Sequence, residues 1–536
     1  MIDLRTDVDV ASVIPRPRGE HVPAPRAEAR PESARPRPQA RRLLWAAAGA
    51  AVLGVGYVPA ARVPIIADDL QGLQESSAVS DGSLWRALAH GLSEGQEAGH
   101  FNPIGQALGA AYHFAAYTVS AAAGVSPQYF DVLASVALIL LAVAGATSVL
   151  VWGLAGSARP GYWPSFALVC AITAVTLQLH APWSNDPVVS FGLAGWGSAA
   201  LGFWTIGLAL RAISPGVHGR GSLVGCSLTA AVCVWYYEML VAAVAAVAVA
   251  VLLTGLRTRD RAVRRRCAVL AASAVGLPAV LFVLGRRLAA ASERSYGGTT
   301  THLGWSALDT WGSGMVGALP GGGWKFLVDM SGPPVVRTTS LLLGVLLCAL
   351  AAGTAVAGAR SAATSPVPTT GPGTRPGRGP VVVLVAIVGT FWALATATHS
   401  VTDKYIAEIR HPGQVYLFYA VGVLAVALLL ALCLLRMPRR VSQQLRLALL
   451  PLAGIFVLLQ VTINMQVADV ARSQVPYNAP LVALSTDGHA RPAERCAALD
   501  AWSAQGWPEY YARSIRASIQ ENYHRTFGEP FCPPGD

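Results

Sequence analysis

Charged residues are scarce in this sequence. Only 13% of its 536 residues are Asp, Glu, Lys or Arg, about half the ~25% share of an average soluble protein. Hydrophobic residues make up 53%, and near-uncharged runs approach or reach the ~20 residues that a bilayer-crossing helix needs. The composition argues against a soluble fold and predicts an all-α, polytopic bundle of transmembrane helices in a lipid bilayer.

Several other features are missing. Although the net charge is +11, the arginines fall in short clusters between apolar runs and form no basic-aromatic surface for nucleic acid. The eight cysteines show no metal-binding spacing. Two of them, Cys496 and Cys532, lie in the polar C-terminal tail, and in an oxidising compartment we expect them to form a disulfide. No internal repeat is visible, and ionisable residues are rare inside several spans, whereas transporters often show both features.

About twelve hydrophobic segments are present. They start near Leu43, Ile104, Tyr129, Trp163, Val188, Ser222, Met239, Cys267, Thr338, Val381, Val415 and Leu447. Arginine-rich loops face the cytoplasm in most membrane proteins, and the arginine loops here share one side only if segment 104–124 makes no single full crossing. We therefore predict eleven complete crossings in the cell membrane, with segment 104–124 re-entrant or lying on the outer surface. The N-terminus is then cytoplasmic and the tail is outside.

The loops and spans divide the chain into five parts. These are a disordered cytoplasmic segment (1–42), an N-terminal bundle (43–357), a Pro/Gly-rich cytoplasmic linker (358–380), a C-terminal bundle (381–463) and an outer tail (464–536). The N-terminal bundle carries a first outer loop (61–103) and a long outer loop (288–337). Because the long loop mixes Gly and Trp, we expect short helices at the membrane interface there.

An acidic pair, Asp68 and Asp69, follows the first hydrophobic segment directly. A low-dielectric boundary raises the basicity of a carboxylate, so that either residue could act as a general base. The structural alternative is a helix N-cap. Downstream in the same loop, His100-Phe101-Asn102-Pro103 leads into segment 104–124.

Three more polar stretches fall between hydrophobic segments on the predicted outer side. Tyr237-Glu238 breaks two short spans, and a carboxylate there is costly unless it is paired or faces a polar cavity. Lys404, Arg410 and His411 precede a span, either as a cationic site or as interface anchors. The loop at residues 180–187 contains Trp183, Asn185 and Asp186, a mixture that is typical of sugar sites but also fits an ordinary Pro-bounded turn.

These features together resemble the GT-C fold superfamily of polytopic membrane glycosyltransferases, over about residues 43–463. The resemblance implies an enzyme that transfers a sugar from a polyprenyl-phosphate donor to a glycan, lipid or protein acceptor of the cell envelope, on the non-cytoplasmic face. It departs from the superfamily pattern at His100 and Asn102, where many members carry basic residues. No Asp-X-Asp motif follows, so a divalent metal has no motif to support it and no cofactor is predicted.

The resemblance also implies roles for the polar residues. Asp69 or Asp68 would be the catalytic base. The substrate would be bound by His100, Asn102, Glu238, Tyr237, Trp183, Asn185 and Asp186. The lipid phosphate would be bound by Lys404, Arg410 and His411. The competing hypotheses are a flippase or transporter of lipid-linked intermediates, and a polymerase or ligase of surface polysaccharide.

Overall fold

A computed structural model describes residues 38–97, 102–155, 160–180, 186–215, 219–290, 300–322, 334–364, 378–409, 415–436 and 439–533. The described residues from 42 onward belong to one compact unit. Its described residues are helical apart from loops, turns and one isolated bridge between Thr301 and Thr402. The predicted all-α class is confirmed.

The described residues contain twenty α-helices. They are α1 (Pro38–Tyr57), α2 (Ala67–Val79), α3 (Leu84–Glu97), α4 (Pro103–Ala123), α5 (Pro127–Gly153), α6 (Tyr162–Thr176), α7 (Ser198–Ile213), α8 (Arg220–Tyr236), α9 (Val241–Arg257), α10 (Arg261–Leu270), α11 (Leu277–Ala290), α12 (Trp305–Gly317), α13 (Pro334–Thr364), α14 (Arg378–Ser400), α15 (Asp403–Glu408), α16 (Tyr419–Arg436), α17 (Arg439–Gln474), α18 (Asn478–Leu484), α19 (Pro492–Ser503) and α20 (Glu509–Phe527). Two π-helical segments, Leu193–Gly197 and Ala271–Gly276, lead into α7 and α11.

Eight helical stretches of the described chain are long and apolar enough to cross a membrane. They are Pro127–Gly153, Leu193–Ile213, Glu238–Arg257, Arg261–Leu288, Val335–Ala362, Gly379–Ser400, Tyr419–Arg436 and Pro451–Gln474. The chain is therefore a multi-pass membrane protein. The other four predicted hydrophobic segments are also helical, in α1, α4, α6 and α8, and the count of eleven crossings stays a prediction.

Arginines gather at one end of the bundle. Helices α8 and α10 begin with Arg220 and Arg261, while α9 and α16 end with Arg257 and Arg436. The guanidinium of Arg257 donates a hydrogen bond to the carbonyl of Gly379, 3.2 Å away, which joins the end of α9 to the start of α14. We call this the arginine end of the bundle.

Helix α4 lies across the opposite end. Near its start, a Cβ atom at Gly105 would lie 2.1 Å from the carbonyl oxygen of Tyr236, the last residue of α8. Further along, the Tyr117 hydroxyl donates to the carbonyl of Ser485, 3.1 Å away, in the C-terminal tail. Because both parts of α4 contact elements at the same end, α4 does not run from one end of the bundle to the other. That segment 104–124 does not cross the bilayer stays a prediction.

The C-terminal helices α18, α19 and α20 fold into a cap on α2. A second apolar core, separate from that of the bundle, contains Leu70 and Leu73 of α2 together with Trp502 and Ile519 of the tail. The Asn522 amide also donates to the carbonyl of Gln74, 2.8 Å away. The cap therefore holds one face of α2 and leaves the other face free for a cavity.

A disulfide closes the cap. Cys496 and Cys532 are bonded, with their Cα atoms 5.0 Å apart, which confirms the predicted pairing. Beside the disulfide, Arg495 is fully buried and donates to the carbonyl of Phe531 at 2.9 Å and to the Glu529 carboxylate at 2.5 Å. These bonds fasten the last described residues to α19.

Candidate functional site

A cavity of about 380 Å³ opens at the end of the bundle that carries α2 and α4. Its wall is built from α2, α4, the turn before α7, the break between α8 and α9, and α15. Five residues singled out in the sequence line it: Asp68, Asp69, Asn102, Tyr237 and Lys404. The structure thus brings the acidic pair and a cationic side chain from a distant part of the chain into one space.

The start of α2 is fixed by contacts with three other elements. The Gln128 side chain of α5 accepts from the amide of Ile65 at 3.0 Å and donates to the carbonyl of Val63 at 2.8 Å. The Asn478 amide donates to the carbonyl of Ile65 at 3.0 Å, and the Tyr511 hydroxyl donates to that of Ala67 at 2.9 Å. The acidic pair therefore projects from a rigid helix end.

Two residues next to Asp69 have left-handed backbone conformations that cost energy in residues other than glycine. Ala67 has φ 45° and Phe191 has φ 55°, and such a conformation is an outlier for a bulky aromatic residue. The Phe191 amide donates to both carboxylate oxygens of Asp69, at 3.3 and 3.1 Å. Since strained backbone clusters at functional sites, the arrangement makes Asp69 a stronger functional candidate than Asp68.

The electrostatics of the two carboxylates differ. Burial, and after it the Asp131 carboxylate, raises the pKa of Asp69 well above its usual range, and the Phe191 amide only partly opposes this. Burial also raises the pKa of Asp68, and the Lys404 ammonium partly opposes this rise. A carboxylate with a raised pKa is a stronger base, so Asp69 has the property that proton abstraction needs.

Lys404 lines the same cavity from the short helix α15. Bonds between the segments at 300–302 and 401–403 fix the start of that helix: the His302 amide donates to the carbonyl of Val401 at 2.6 Å, and the Asp403 amide donates to that of Thr300 at 3.1 Å. The Lys404 ammonium is 3.9 Å from the Glu408 carboxylate. The positive charge of Lys404 acts on Asp68, which lines the same cavity.

Asn102 and Tyr237 border the cavity with different surroundings. Asn102 is buried, with 6% of its surface exposed, and its side-chain oxygen has no hydrogen-bond partner among the described residues. The Tyr237 ring stacks on His399 with centroids 5.7 Å apart. The first offers an acceptor to a ligand, and the second offers a flat apolar surface, which suits the face of a sugar ring.

Two candidates from the sequence have structural contacts instead. The Glu238 carboxylate accepts from the Arg286 guanidinium at 3.0 Å and is not among the residues that line the cavity. The buried Asp186 carboxylate accepts from the backbone amides of His180 and, at 2.9 Å, Val188. Glu238 therefore joins the α8–α9 break to α11, and Asp186 braces its own turn. His100, Trp183, Asn185, Arg410 and His411 lie outside the described residues.

Sequence analysis did not single out the polar face of α4. Gln106, Tyr112 and His113 line the cavity, and a Cβ atom at Gly72 would lie 2.7 Å from Nε2 of His113, so a glycine is needed where the imidazole meets α2. Burial lowers the pKa of His113 to about 4, which makes it a neutral ring at pH 7. The signal in the sequence is the spacing of Gln106 and His113, which are two turns apart and therefore lie on one side of a helix.

Among the described residues, no three His, Cys, Asp or Glu side chains come together in a way that could hold a metal ion. The comparisons with known proteins also leave the family open: no protein-family model matches this chain, and no curated protein matches it. What the chain offers is therefore the chemistry of its cavity, which a basic carboxylate and an ammonium group both line at one end of a membrane bundle.

Proposed function

We propose that this protein is a membrane glycosyltransferase that transfers a sugar from a polyprenyl-phosphate donor to a glycan, lipid or protein acceptor on the non-cytoplasmic face. The observation that carries the proposal is that Asp69 and Lys404 line one cavity. Transfer from a lipid phosphate needs a base for the acceptor and a cation for the leaving phosphate. The resemblance to GT-C enzymes, noted from the sequence, agrees with both roles.

In the proposed reaction, Asp69 and Lys404 each have one role. Asp69 takes the proton from an acceptor hydroxyl, and the oxygen of that hydroxyl bonds to the anomeric carbon of the sugar. The bond from that carbon to the phosphate oxygen breaks, and its electron pair stays on the phosphate. Lys404 stabilises the added negative charge, and the ring of Tyr237, which stacks on His399, borders the same space.

The proposed side of the membrane follows from charge. Cytoplasmic loops of membrane proteins are enriched in Lys and Arg, and the arginine end of the bundle is opposite the cavity. The cavity, the cap and α15 would then face outward, and the N-terminus would be cytoplasmic. Carriers and acceptors of the cell envelope would reach the cavity from that side.

Single-cysteine labelling tests this orientation. In a background with the exposed Cys433 replaced by alanine, we expect Tyr510→Cys in the cap to react with an impermeant maleimide in intact cells. Arg264→Cys should react only after the cells are made permeable. Labelling of Arg264→Cys alone in intact cells would place the cavity in the cytoplasm and exclude an outer-face reaction.

A direct assay tests the activity. The purified full chain in lipid nanodiscs is given polyprenyl-monophosphate donors that carry different labelled sugars, together with envelope extracts as the acceptor. The expected result is label that moves to the acceptor and free polyprenyl phosphate in equal amount. Proteoliposomes that move the donor across the bilayer without any transfer would replace the proposal with the flippase hypothesis.

Replacing Lys404 tests the phosphate role. We expect Lys404→Ala to raise the KM for the donor about tenfold to a hundredfold, because a hydrogen bond to a charged group contributes ~1.5–3 kcal/mol. Arg62→Gln is the matched control, since Arg62 carries a positive charge at the same end but pairs with Asp469 outside the cavity. An equal effect of the two substitutions would mean that Lys404 acts only through the overall charge of the surface.

A further inference from the structure

One face of α5 runs beneath the acidic pair. Gln128, Asp131 and Ser135 are spaced three and four residues apart and therefore lie on one side of the helix. At one end of this face, Gln128 binds the amide of Ile65 at 3.0 Å. At the other end, a Cβ atom at Gly192 would lie 3.3 Å from Oγ of Ser135. Asp131 lies between these two contacts.

Asp69 lies between the same two contacts on the other side of the interface. It follows Ile65 by one turn, and it accepts hydrogen bonds from the amide of Phe191, which precedes Gly192. The two carboxylates therefore lie near each other, and the charge of Asp131 acts on Asp69. Asp131 is not among the residues that line the cavity, so it stands behind the wall from which Asp69 projects.

A hydroxyl group fixes the second carboxylate in place. Tyr112 of α4 lines the cavity, and its hydroxyl donates to Oδ1 of Asp131 at 2.6 Å. This contact fixes the position of the Asp131 carboxylate beside Asp69. Three separate elements, α2, α4 and α5, thus meet at one carboxylate pair.

We propose that Asp131 is a positioning residue for Asp69: held by the Tyr112 hydroxyl behind the cavity wall, it makes the two carboxyl groups bind one proton as a pair. Two like charges in a site of low dielectric cannot both stay ionised at little cost, so the pair takes up a proton more readily than either group alone. This inference rests on the proposed role of Asp69 as the base. It does not depend on which sugar or acceptor is used.

Among the ionisable groups around Asp69, Asp131 has the strongest electrostatic effect on it. They are Asp68 on α2, Tyr57 on α1, Tyr112 on α4, Asp131 on α5 and Tyr511 on α20, with Lys404 of α15 acting on Asp68. Burial raises the pKa of Tyr112 and of Tyr511 above the usual tyrosine range, so both stay neutral. Asp68 is exposed, and water screens its charge more than that of Asp131.

The carboxylate pair would take up and later release the proton of the acceptor hydroxyl. The proton that leaves the acceptor hydroxyl goes to Asp69, and the Asp131 carboxylate stabilises the protonated form. The proton then returns to water through the cavity once the products have left. A lone exposed aspartate would be a much weaker base for the same hydroxyl.

Carbodiimide labelling measures proton binding without any transfer assay. Dicyclohexylcarbodiimide, an apolar reagent, reacts with protonated carboxyl groups, and peptide mass spectrometry of the full chain in nanodiscs gives the modified fraction at Asp69 as a function of pH. In the wild type, we expect labelling at Asp69 to persist above the pH range of an ordinary aspartate. In Asp131→Asn, the midpoint should fall by about one pH unit or more, since this is the size of shift that a nearby charge produces.

Two further variants complete the test. Asp131→Glu keeps the charge and should keep the midpoint close to that of the wild type, while Tyr112→Phe should lower it by a smaller amount than Asp131→Asn. An unchanged midpoint in both Asp131→Asn and Tyr112→Phe would overturn the pairing. If the midpoint shifts as expected but no polyprenyl-linked sugar is ever transferred, the pairing holds and the glycosyltransferase proposal fails.

Discussion

Asp69→Asn is expected to slow sugar transfer by ~10²-fold or more, the contribution of a positioned general base, while the KM for the donor changes little. The substitution keeps the shape of the side chain and one oxygen that can accept from the Phe191 amide, but it removes the basic oxygen. The measurement is single-turnover transfer of labelled sugar in nanodiscs.

Asp68→Asn is the matched control. Asp68 is the neighbouring carboxylate, but it is exposed, and the Lys404 ammonium opposes the rise of its pKa that burial causes. We expect this variant to keep most of the activity. Equal and complete loss of activity in both variants would mean that the two carboxylates act as a unit. Full activity in both variants, singly and together, would mean that neither carboxylate is the general base.

The pH dependence of activity follows from the same carboxylate. A base works in its ionised form, and the pKa of Asp69 is raised by burial and by Asp131. Wild-type activity should therefore rise with pH through a range above that of an ordinary aspartate, near 4. A rate that is already at its maximum at pH 5 would show that the titrating group is not Asp69.

Stability should change in the opposite direction from activity. Because the folded pKa of Asp69 lies above the unfolded one, the folded state binds its proton more tightly, and wild-type stability falls as pH rises from the unfolded pKa to the folded pKa. Asp69→Asn removes this loss. We expect the variant to melt at a temperature equal to or above that of the wild type at pH 8, with the difference shrinking toward pH 4.

The arrangement of the site was partly predictable from sequence. Arginine clusters mark one set of helix ends, so Asp69, Tyr237 and Lys404, which follow α1, α8 and α14, were expected at the other end together. The arginine-rich loops lie on one side of the membrane only if α4 makes no full crossing, so the sequence predicts that as well. Both expectations use only the order of apolar runs and the position of charges along the chain.

Other features depend on tertiary contacts that no local pattern encodes. The sequence cannot show that Phe191 takes a left-handed conformation to aim its amide at Asp69, or that Tyr112 binds Asp131 across two helices. Glu238 illustrates the opposite case. A carboxylate in an apolar break needs a partner or a polar cavity, and its partner is Arg286, 48 residues further along.

The largest expected effect on the fold comes from a methyl group at Gly105. A Cβ atom there would lie 2.1 Å from the carbonyl oxygen of Tyr236 and 3.2 Å from its carbon. These are backbone atoms at the end of α8, so no side-chain rotation relieves the clash, and α4 must move away from the cavity. We expect Gly105→Ala to destabilise the protein by about 3 kcal/mol, the upper part of the range for overpacking, and to abolish transfer.

Gly109→Ala separates this clash from the general effect of losing a glycine. Gly109 lies one turn later on α4 and also lines the cavity, yet nothing lies within 4 Å of a Cβ atom there. Since alanine is favoured over glycine inside a helix by up to ~1 kcal/mol, this variant should be as stable as the wild type or slightly more stable. Thermal melts of both variants in one detergent provide the comparison. If Gly105→Ala melts like Gly109→Ala, α4 does not pack on the α8–α9 break.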